Sequence, residues 1–378
     1  MTERLYYTDS YLTQFNAQVL DYDAARRRLY LDQTAFYPTS GGQQFDTGTL
    51  SSGGSSSLVV VDVVDEGERI AHVLAEEAPA LAAGKSVAGQ IDWARRFDHM
   101  QQHTGQHLLS AVFQELLGLG TLSVHFGAES STLDLEAAAL DPEQIRTLEE
   151  RANAMVFENR EVSAAIEDAA QVSGLRKAST RTGALRVVSI AGLDRSACGG
   201  THVRRTGEIG PILLRRLDRV RKNVRIEFLC GGRATKRARA DYEALSRLSG
   251  LLSTSIDELP ALLSTRLGEF AQQSKQLRDL GAQLDELRAR ELYTRARAAR
   301  SSDADLACHI EQRAQGTLQE LRGLGQSYAS QSRGVFVGVL QDPPSLLVAA
   351  SEDSGIDAAA LIRGALGASG GRGGGTAR

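Results

Sequence analysis

Short apolar stretches separated by turn-forming clusters occupy the first ninety positions of the chain. Residues 28–32 and 57–64 are β-like, and the Gly/Ser stretch 51–57 reads as a hairpin loop, so this part predicts a small β-barrel. From Trp93 the pattern changes. Residues 98–113 contain no proline and repeat their apolar positions at helical spacing, which predicts a helix ending near Gly118 or Gly120. A strand at 131–135, a helix at 142–159 and strands within 186–190 and 211–228 follow. This mixed order predicts an α+β core with helices on one side of an antiparallel sheet.

Further along, residues 256–300 predict a long helix. Leu263, Phe270, Leu277 and Leu284 recur at heptad spacing, and Leu280 and Leu287 add a second position to the seam, whereas Arg266 and Gln273 interrupt it earlier. An intramolecular helical hairpin with residues 305–328 is the simpler reading and a dimeric coiled coil the sharper one. Strands at 334–340 and 345–350, joined by a Pro-containing turn and followed by a helix at 357–366, predict a small α/β domain. The expected division is a barrel over 1–90, a zinc-binding α+β domain over 91–240, a helical linker or hairpin over 241–330, and an α/β domain with a glycine-rich tail over 331–378.

Composition changes this picture little: 42% hydrophobic and 24% charged residues are ordinary for a soluble globular protein. No apolar run is long enough to span a bilayer, and no apolar signal region follows the N-terminal residues, so a cytoplasmic protein without membrane contact is expected. A net charge of -4 excludes a uniformly basic nucleic-acid binder. The basic residues are clustered, however. Arg204, Arg205, Arg215, Arg216, Arg219, Arg221, Lys222 and Arg225 crowd one stretch, which reads as a phosphate-contacting face or as a solvated one.

Candidate chemistry lies in two short segments. His103 and His107 stand at i and i+4 of the predicted helix and so face the same way. Cys198 and His202 flank Gly199, Gly200 and Thr201, a turn-forming sequence that can fold both onto one point. Either pair alone fits buried, hydrogen-bonded side chains as well as ligands. The three cysteines, Cys198, Cys230 and Cys308, are odd in number and widely spaced, which argues against a disulfide framework and leaves Cys198 as a free thiol. Five of the seven histidines, His99, His103, His107, His125 and His202, lie between positions 99 and 202. Jointly the two pairs predict one Zn²⁺ per chain.

These two motifs resemble the editing domain of alanyl-tRNA synthetases and the free-standing AlaX trans-editing proteins, best of all their long form. Residues 31–43, which include Gly41 and Gly42, resemble the glycine-rich motif of that family's N-terminal barrel, and 203–228 resembles the segment after its cysteine motif. Residues 370–375 resemble the start of the glycine-rich signature in the synthetase's C-terminal domain, although only Thr376, Ala377 and Arg378 follow here. The resemblance implies hydrolysis of the ester that joins serine or glycine to the 3′ end of alanine tRNA. It also implies tRNA contact, and dimerisation, through the C-terminal region. Such editing has a physical rationale, because a pocket that accepts alanine rejects near-isosteres by only about 1–3 kcal/mol.

The residues themselves and the resemblance together suggest roles for particular positions. His125 stands where editing domains carry a polar active-site residue; it is expected to orient water or the ester, or to be a structural histidine. Thr104, between the ligand histidines, is a candidate for contact with the reacting ester. Gln106 stands where synthetase editing domains commonly have Thr, and is a candidate substrate contact with altered discrimination. Gly41 and Gly42 would let backbone approach the substrate, and Arg204 and Arg205 would meet phosphate. His99 is a rival to His103 as ligand, but the resemblance favours the later pair. Asp194 is expected to orient the Cys198 loop. Four protein ligands complete a tetrahedral shell, as in structural zinc sites, whereas catalytic zinc keeps a position open. The other readings are a tRNA-binding module with a structural zinc, an oligomerisation scaffold built on the long helix, and an editor of serine-charged threonine tRNA. A full synthetase is not expected, because no aminoacylation domain precedes the barrel.

Overall fold

The computed structural model describes residues 1–52, 57–78, 81–302 and 305–369. The tip of the Gly/Ser hairpin loop and the glycine-rich stretch 370–375 lie outside the described residues. The chain forms two compact units, Met1–Ser246 and a second that begins at Arg247. Among the described residues no helix is long and apolar enough to cross a membrane.

In the first unit the strands are β1 (Glu3–Arg4), β2 (Gln14–Asp23), β3 (Arg28–Leu31), β4 (Gln33–Thr34), β5 (Gly48–Ser51), β6 (Ser57–Asp65), β7 (Ile70–Leu74) and β8 (Ser86–Ile91). Six of them close a barrel in the order β2-β3-β7-β6-β5-β8, which leaves its ladder without an open edge. Period-two alternation sets the inside: Phe15, Ala17 and Val19 of β2, and Val87 and Ile91 of β8, are buried while their neighbours are exposed. A register shift between Val60 and Asp62 bends β6, so that Val60 and Val63 both reach the core.

Helix α1 (Trp93–Leu117) leaves the barrel directly. Asp92 caps it by accepting the Arg95 N–H, and Gly118, with φ +66°, ends it in the left-handed region. Leu108, Leu109, Val112 and Phe113 of α1 are fully buried, each contributing about 1.5–3 kcal/mol of apolar burial. They pack with strands β9 (Thr121–Phe126) and β10 (Ser131–Leu135) and with helix α2 (Pro142–Phe157), whose capping box joins Asp141 to Gln144. Next come β11 (Val162–Asp168), β12 (Ala184–Ile190) and β13 (Asp194–Ala197), an antiparallel sheet in that order. Residues 211–228 form a hairpin, β14 (Ile212–Val220) with β15 (Asn223–Cys230), in the four-stranded sheet β14-β15-β10-β9. Strand β11 carries no periodic sequence signal because four consecutive residues, from Ser163 to Ile166, are exposed or nearly so.

Helix α3 (Gly232–Leu252) runs out of this unit and buries only Ala234. The long helix of the second unit is α4 (Leu259–Ala298), whose 40 residues bury only Leu259, Ala289 and Tyr293. The heptad seam is present but exposed at Leu263, Phe270, Leu277, Leu280, Leu284 and Leu287. The expected hairpin arm at 305–328 is corrected: it contains strand β16 (Ala307–Gln315) and only then helix α5 (Leu318–Ala329). Alternating exposure along β16 and its parallel pairing with β17 (Gly334–Asp342) explain why strand wins over helix there. Antiparallel β18 (Ser345–Ala350) completes the sheet, and α6 (Ala358–Ser369) follows. Leu321, Leu324 and Tyr328 of α5 meet Phe336 and Leu340 of β17 and the C-terminal turns of α4 in one core.

Candidate metal centre

Two elements deliver the four chemically competent side chains. Helix α1 projects His103 and His107 from the same face, and the turn after β13 presents Cys198 and His202. One donor atom from each lies within 4.8 Å of all the others. Cys198 Sγ is 3.3 Å from Nε2 of His103 and 3.3 Å from Nε2 of His202. Bond lengths of about 2.0–2.3 Å around a tetrahedral ion imply donor–donor edges of about 3.3–3.8 Å, so these contacts suit one small ion.

The turn can close because position 200 is glycine. A Cβ there would stand 2.1 Å from His103 Cε1, and no side chain fits. Arg186 of β12 holds the turn from behind: its Nη1 donates to the carbonyls of Cys198 at 2.8 Å and Gly200 at 2.9 Å, and its Nε donates to Tyr7 O at 3.0 Å.

Each imidazole has a partner on its outer nitrogen. His103 Nδ1 lies 2.8 Å from Gln43 Oε1, His107 Nδ1 lies 3.1 Å from Asp194 Oδ2, and His202 Nδ1 lies 3.1 Å from Thr104 Oγ1. This outer shell leaves Nε2 of each ring for the centre and suits a metal ion. Asp194 is itself fixed by Arg176 Nε at 2.8 Å and by Ser196 Oγ at 2.9 Å. Burial pushes the Cys198 thiol up, but His103, His202 and His107 outweigh it and hold the group well below its ordinary value. His202 is pushed down to about 3 by burial, which keeps it neutral. Burial also opposes charge on His107, but Cys198 and Asp194 outweigh it and raise that ring to about 9, so an ion bound there displaces a proton. A thiolate among neutral imidazoles is the protonation state that ligation needs.

The remaining predicted residues are placed as follows. Thr104 is fully buried and accepts the Val203 N–H at 3.2 Å while it faces His202, so it orients that ring. Gln106 is buried and donates to Ser110 Oγ at 2.8 Å, a hydroxyl that also receives Thr121 Oγ1 at 2.7 Å. Gly41 and Gly42 take φ of +56° and +86°, a left-handed pair that side chains resist. Their loop passes beside Phe126, whose ring rests 5.1 Å from that of His103. His125 is exposed, and its β10 partner Thr132 shares the face opposite to buried Ser131 and Phe126. Strand alternation therefore directs His125 away from the cluster. His99 is buried outside the four-residue group.

Half of the basic stretch is paired locally with carboxylates. Arg215 pairs with Glu227, Arg216 with Asp218 and Arg225 with Asp134. Arg204 lies 3.2 Å from Asp9 and over the Tyr11 ring, and Arg205 donates to Asn159 O at 3.2 Å. Arg219, Arg221 and Lys222, at the exposed end of the β14–β15 hairpin, have no ion pair among the described residues.

Sequence reasoning missed Gln43, Arg176 and Arg186, and it gave Asp194 the Cys198 loop rather than His107. The only trace of Gln43 was its place at the end of the glycine-rich motif. Arg176 and Arg186 carried none, since their partners are main-chain carbonyls or residues on other strands.

Known proteins are similar to this chain over most of its length. Residues 185–227, which span the cysteine motif, match the threonyl and alanyl tRNA synthetase second additional domain, and residues 9–95 match the class II (A) tRNA synthetases. The alanine–tRNA ligase of Pyrococcus abyssi is 34% identical over 337 residues, covering 85% of this chain and 35% of the ligase. That of Thermoplasma acidophilum is 36% identical over 70% of this chain and 31% of the ligase, and that of Methanobrevibacter smithii is 28% identical over 99% and 43%. The chain thus spans about a third of the length of the curated relatives it matches. It is an AlaX-like protein, related to the editing domains of alanyl-tRNA synthetases.

Proposed function

We propose that the chain is a zinc-dependent deacylase that hydrolyses the ester of alanine tRNA mischarged with serine or glycine, acting in trans in the cytoplasm. The observation that carries this reading is the convergence of His103, His107, Cys198 and His202 on one point, with every imidazole oriented by a buried partner. One Zn²⁺ held there would polarise the ester carbonyl or water, or order the pocket around the reacting bond. The protein's own contribution is positional. Gln43, Asp194 and Thr104 hold the rings, Arg186 holds the turn, and the loop at Gly41 and Gly42 brings exposed backbone beside Phe126 without a side chain in the way.

Thr104 acts in this reading through His202, and Gln106 belongs to the hydroxyl network of Ser110 and Thr121. Phosphates of the acceptor stem are assigned to Arg204 and Arg205 near the turn, and more remote ones to Arg219, Arg221 and Lys222. The exposed seam on α4 supports association of two copies through the C-terminal region.

Purified protein is incubated with alanine tRNA charged with serine, glycine or alanine, and with serine-charged threonine tRNA, and ester loss is followed. Rapid loss from serine- or glycine-charged alanine tRNA alone is expected. Preference for the threonine tRNA would make the chain an editor of that species, and no loss from any of the four would leave a tRNA-binding module with a structural zinc.

A further inference from the structure

The barrel and both metal motifs meet at one side chain, Gln43, and we propose that it is a positioning residue for the ion: it sets His103 as an Nε2 donor and makes metal affinity depend on the barrel loop. This rests on the metal reading above. A backbone N–H can only donate, and that of Thr201 points at Gln43 Oε1 over 3.1 Å, which fixes the orientation of the carboxamide. The same oxygen lies 2.8 Å from His103 Nδ1, so Nδ1 carries the ring proton. Nε2 then keeps its lone pair, and it is the atom that stands 3.3 Å from Cys198 Sγ. The Gln43 amide nitrogen donates to Thr201 Oγ1 at 2.7 Å, and Thr201 directly precedes the ligand His202.

One carboxamide therefore orients a ligand on α1 and anchors the backbone next to a ligand on the turn. At 1% exposure it has no water to replace it, and removing it strands the His103 and Thr201 donors in a buried site. Its loop is in turn tied to α1. Tyr37 N–H donates to Asp46 Oδ2 at 2.6 Å, and Asp46 is paired with Arg96, two helical turns before His103 on α1. Hydrogen bonds that seat the loop are thus the bonds that aim the ligands, so an ion that needs the aimed ligands favours the seated loop, and the converse holds with equal strength.

The test measures zinc affinity of the full chain by competition with a chromophoric chelator, for wild type, Gln43→Ala and Gln43→Glu, together with the visible spectrum of the cobalt(II) forms. Gln43→Ala is expected to weaken zinc binding about 10–100-fold and to alter the cobalt spectrum. Gln43→Glu, whose carboxylate accepts from the same two N–H groups, is expected to stay within about threefold of wild type or to bind tighter. Wild-type affinity in Gln43→Ala would overturn the proposal, and so would a Gln43→Glu as weak as Gln43→Ala, since the effect would then come from loop packing. A wild-type chain that binds no zinc rejects the metal reading itself, an outcome distinct from equal binding by all three proteins.

Discussion

Arg96 of α1 and Asp46 of the glycine-rich loop form an ion pair with no exposed side-chain surface, Arg96 Nε lying 3.0 Å from both carboxylate oxygens. The guanidinium also donates to Ser10 O at 2.8 Å and to Ala35 O, so its charge is balanced and each of its three nitrogens has an acceptor. Replacing Asp46 by Asn leaves a buried cation without its counter-charge, and a loss of about 3–5 kcal/mol is expected in denaturant unfolding. Removing both charges, as in Arg96→Met with Asp46→Leu, should cost less than the two single changes summed, because no uncompensated charge remains. Additive losses would show that the pair acts through shape alone.

Zinc content provides the next check. The wild-type chain should carry close to one zinc, and Cys198→Ser should lose most of it, because a thiolate is exchanged for a neutral hydroxyl of poor donor strength. Chelator treatment of the wild type should lower its melting temperature, since the ion binds only the folded arrangement. A Cys198→Ser protein with full metal content would remove that thiol from the centre.

Stability should also fall in acid for a reason remote from the metal. His72 sits inside the barrel with Nδ1 donating to Leu29 O at 3.0 Å and Nε2 accepting from Thr34 Oγ1 at 2.8 Å, and burial pushes it down to about 4. The unfolded chain takes up that proton near pH 6.5, whereas the folded chain resists it until about pH 4, so stability is complete above the first value and declines towards the second. His99 is displaced in the same direction by burial and by Arg95. Melting temperatures of wild type and His72→Gln, followed from pH 7 to 4, should show a shallower decline in the variant. Parallel curves would mean that His72 is not neutral in the folded state.

His125→Ala separates the two expectations for that residue. Since the side chain is exposed on the face of β9 opposite to Phe126, the variant should keep zinc content, melting temperature and deacylation within about twofold of wild type. A large loss of deacylation at unchanged stability would return His125 to the reacting centre.

The salt dependence of tRNA affinity tests the hairpin end. Arg219, Arg221 and Lys222 are exposed there, whereas Arg215, Arg216 and Arg225 are engaged by carboxylates. Changing the first three to Gln should weaken binding and lower the log–log salt slope by about 1 for each phosphate that is no longer neutralised. Changing Arg215, Arg216 and Arg225 instead should move the slope less. The reverse ranking would place the phosphates along the strand faces.

The sequence by itself determined elements whose cause is local: the barrel strands at 28–32 and 57–64, helix α1 with its stop near Gly118, the Pro142 helix start and the heptad spacing of α4, because period, caps and turn residues are properties of neighbouring positions. It also singled out the four side chains that the structure gathers at one point, since an i, i+4 pair and a glycine turn each converge over a few residues. What it left undecided depends on segments distant in the chain. Strand β16 competes as helix until the parallel edge of β17 satisfies its backbone, and β11 has too little apolar pattern to declare itself before β12 lies alongside. Only the tertiary structure decided that Gln43 of the barrel, Asp194 before the cysteine turn and Thr104 on α1 would each face a different histidine, and that His125, near the site in sequence, would point the other way. The physical reason is the range of the forces involved: propensity acts within a turn or two, whereas a hydrogen bond between residues 60 or 158 positions apart exists only once packing has brought their backbones together.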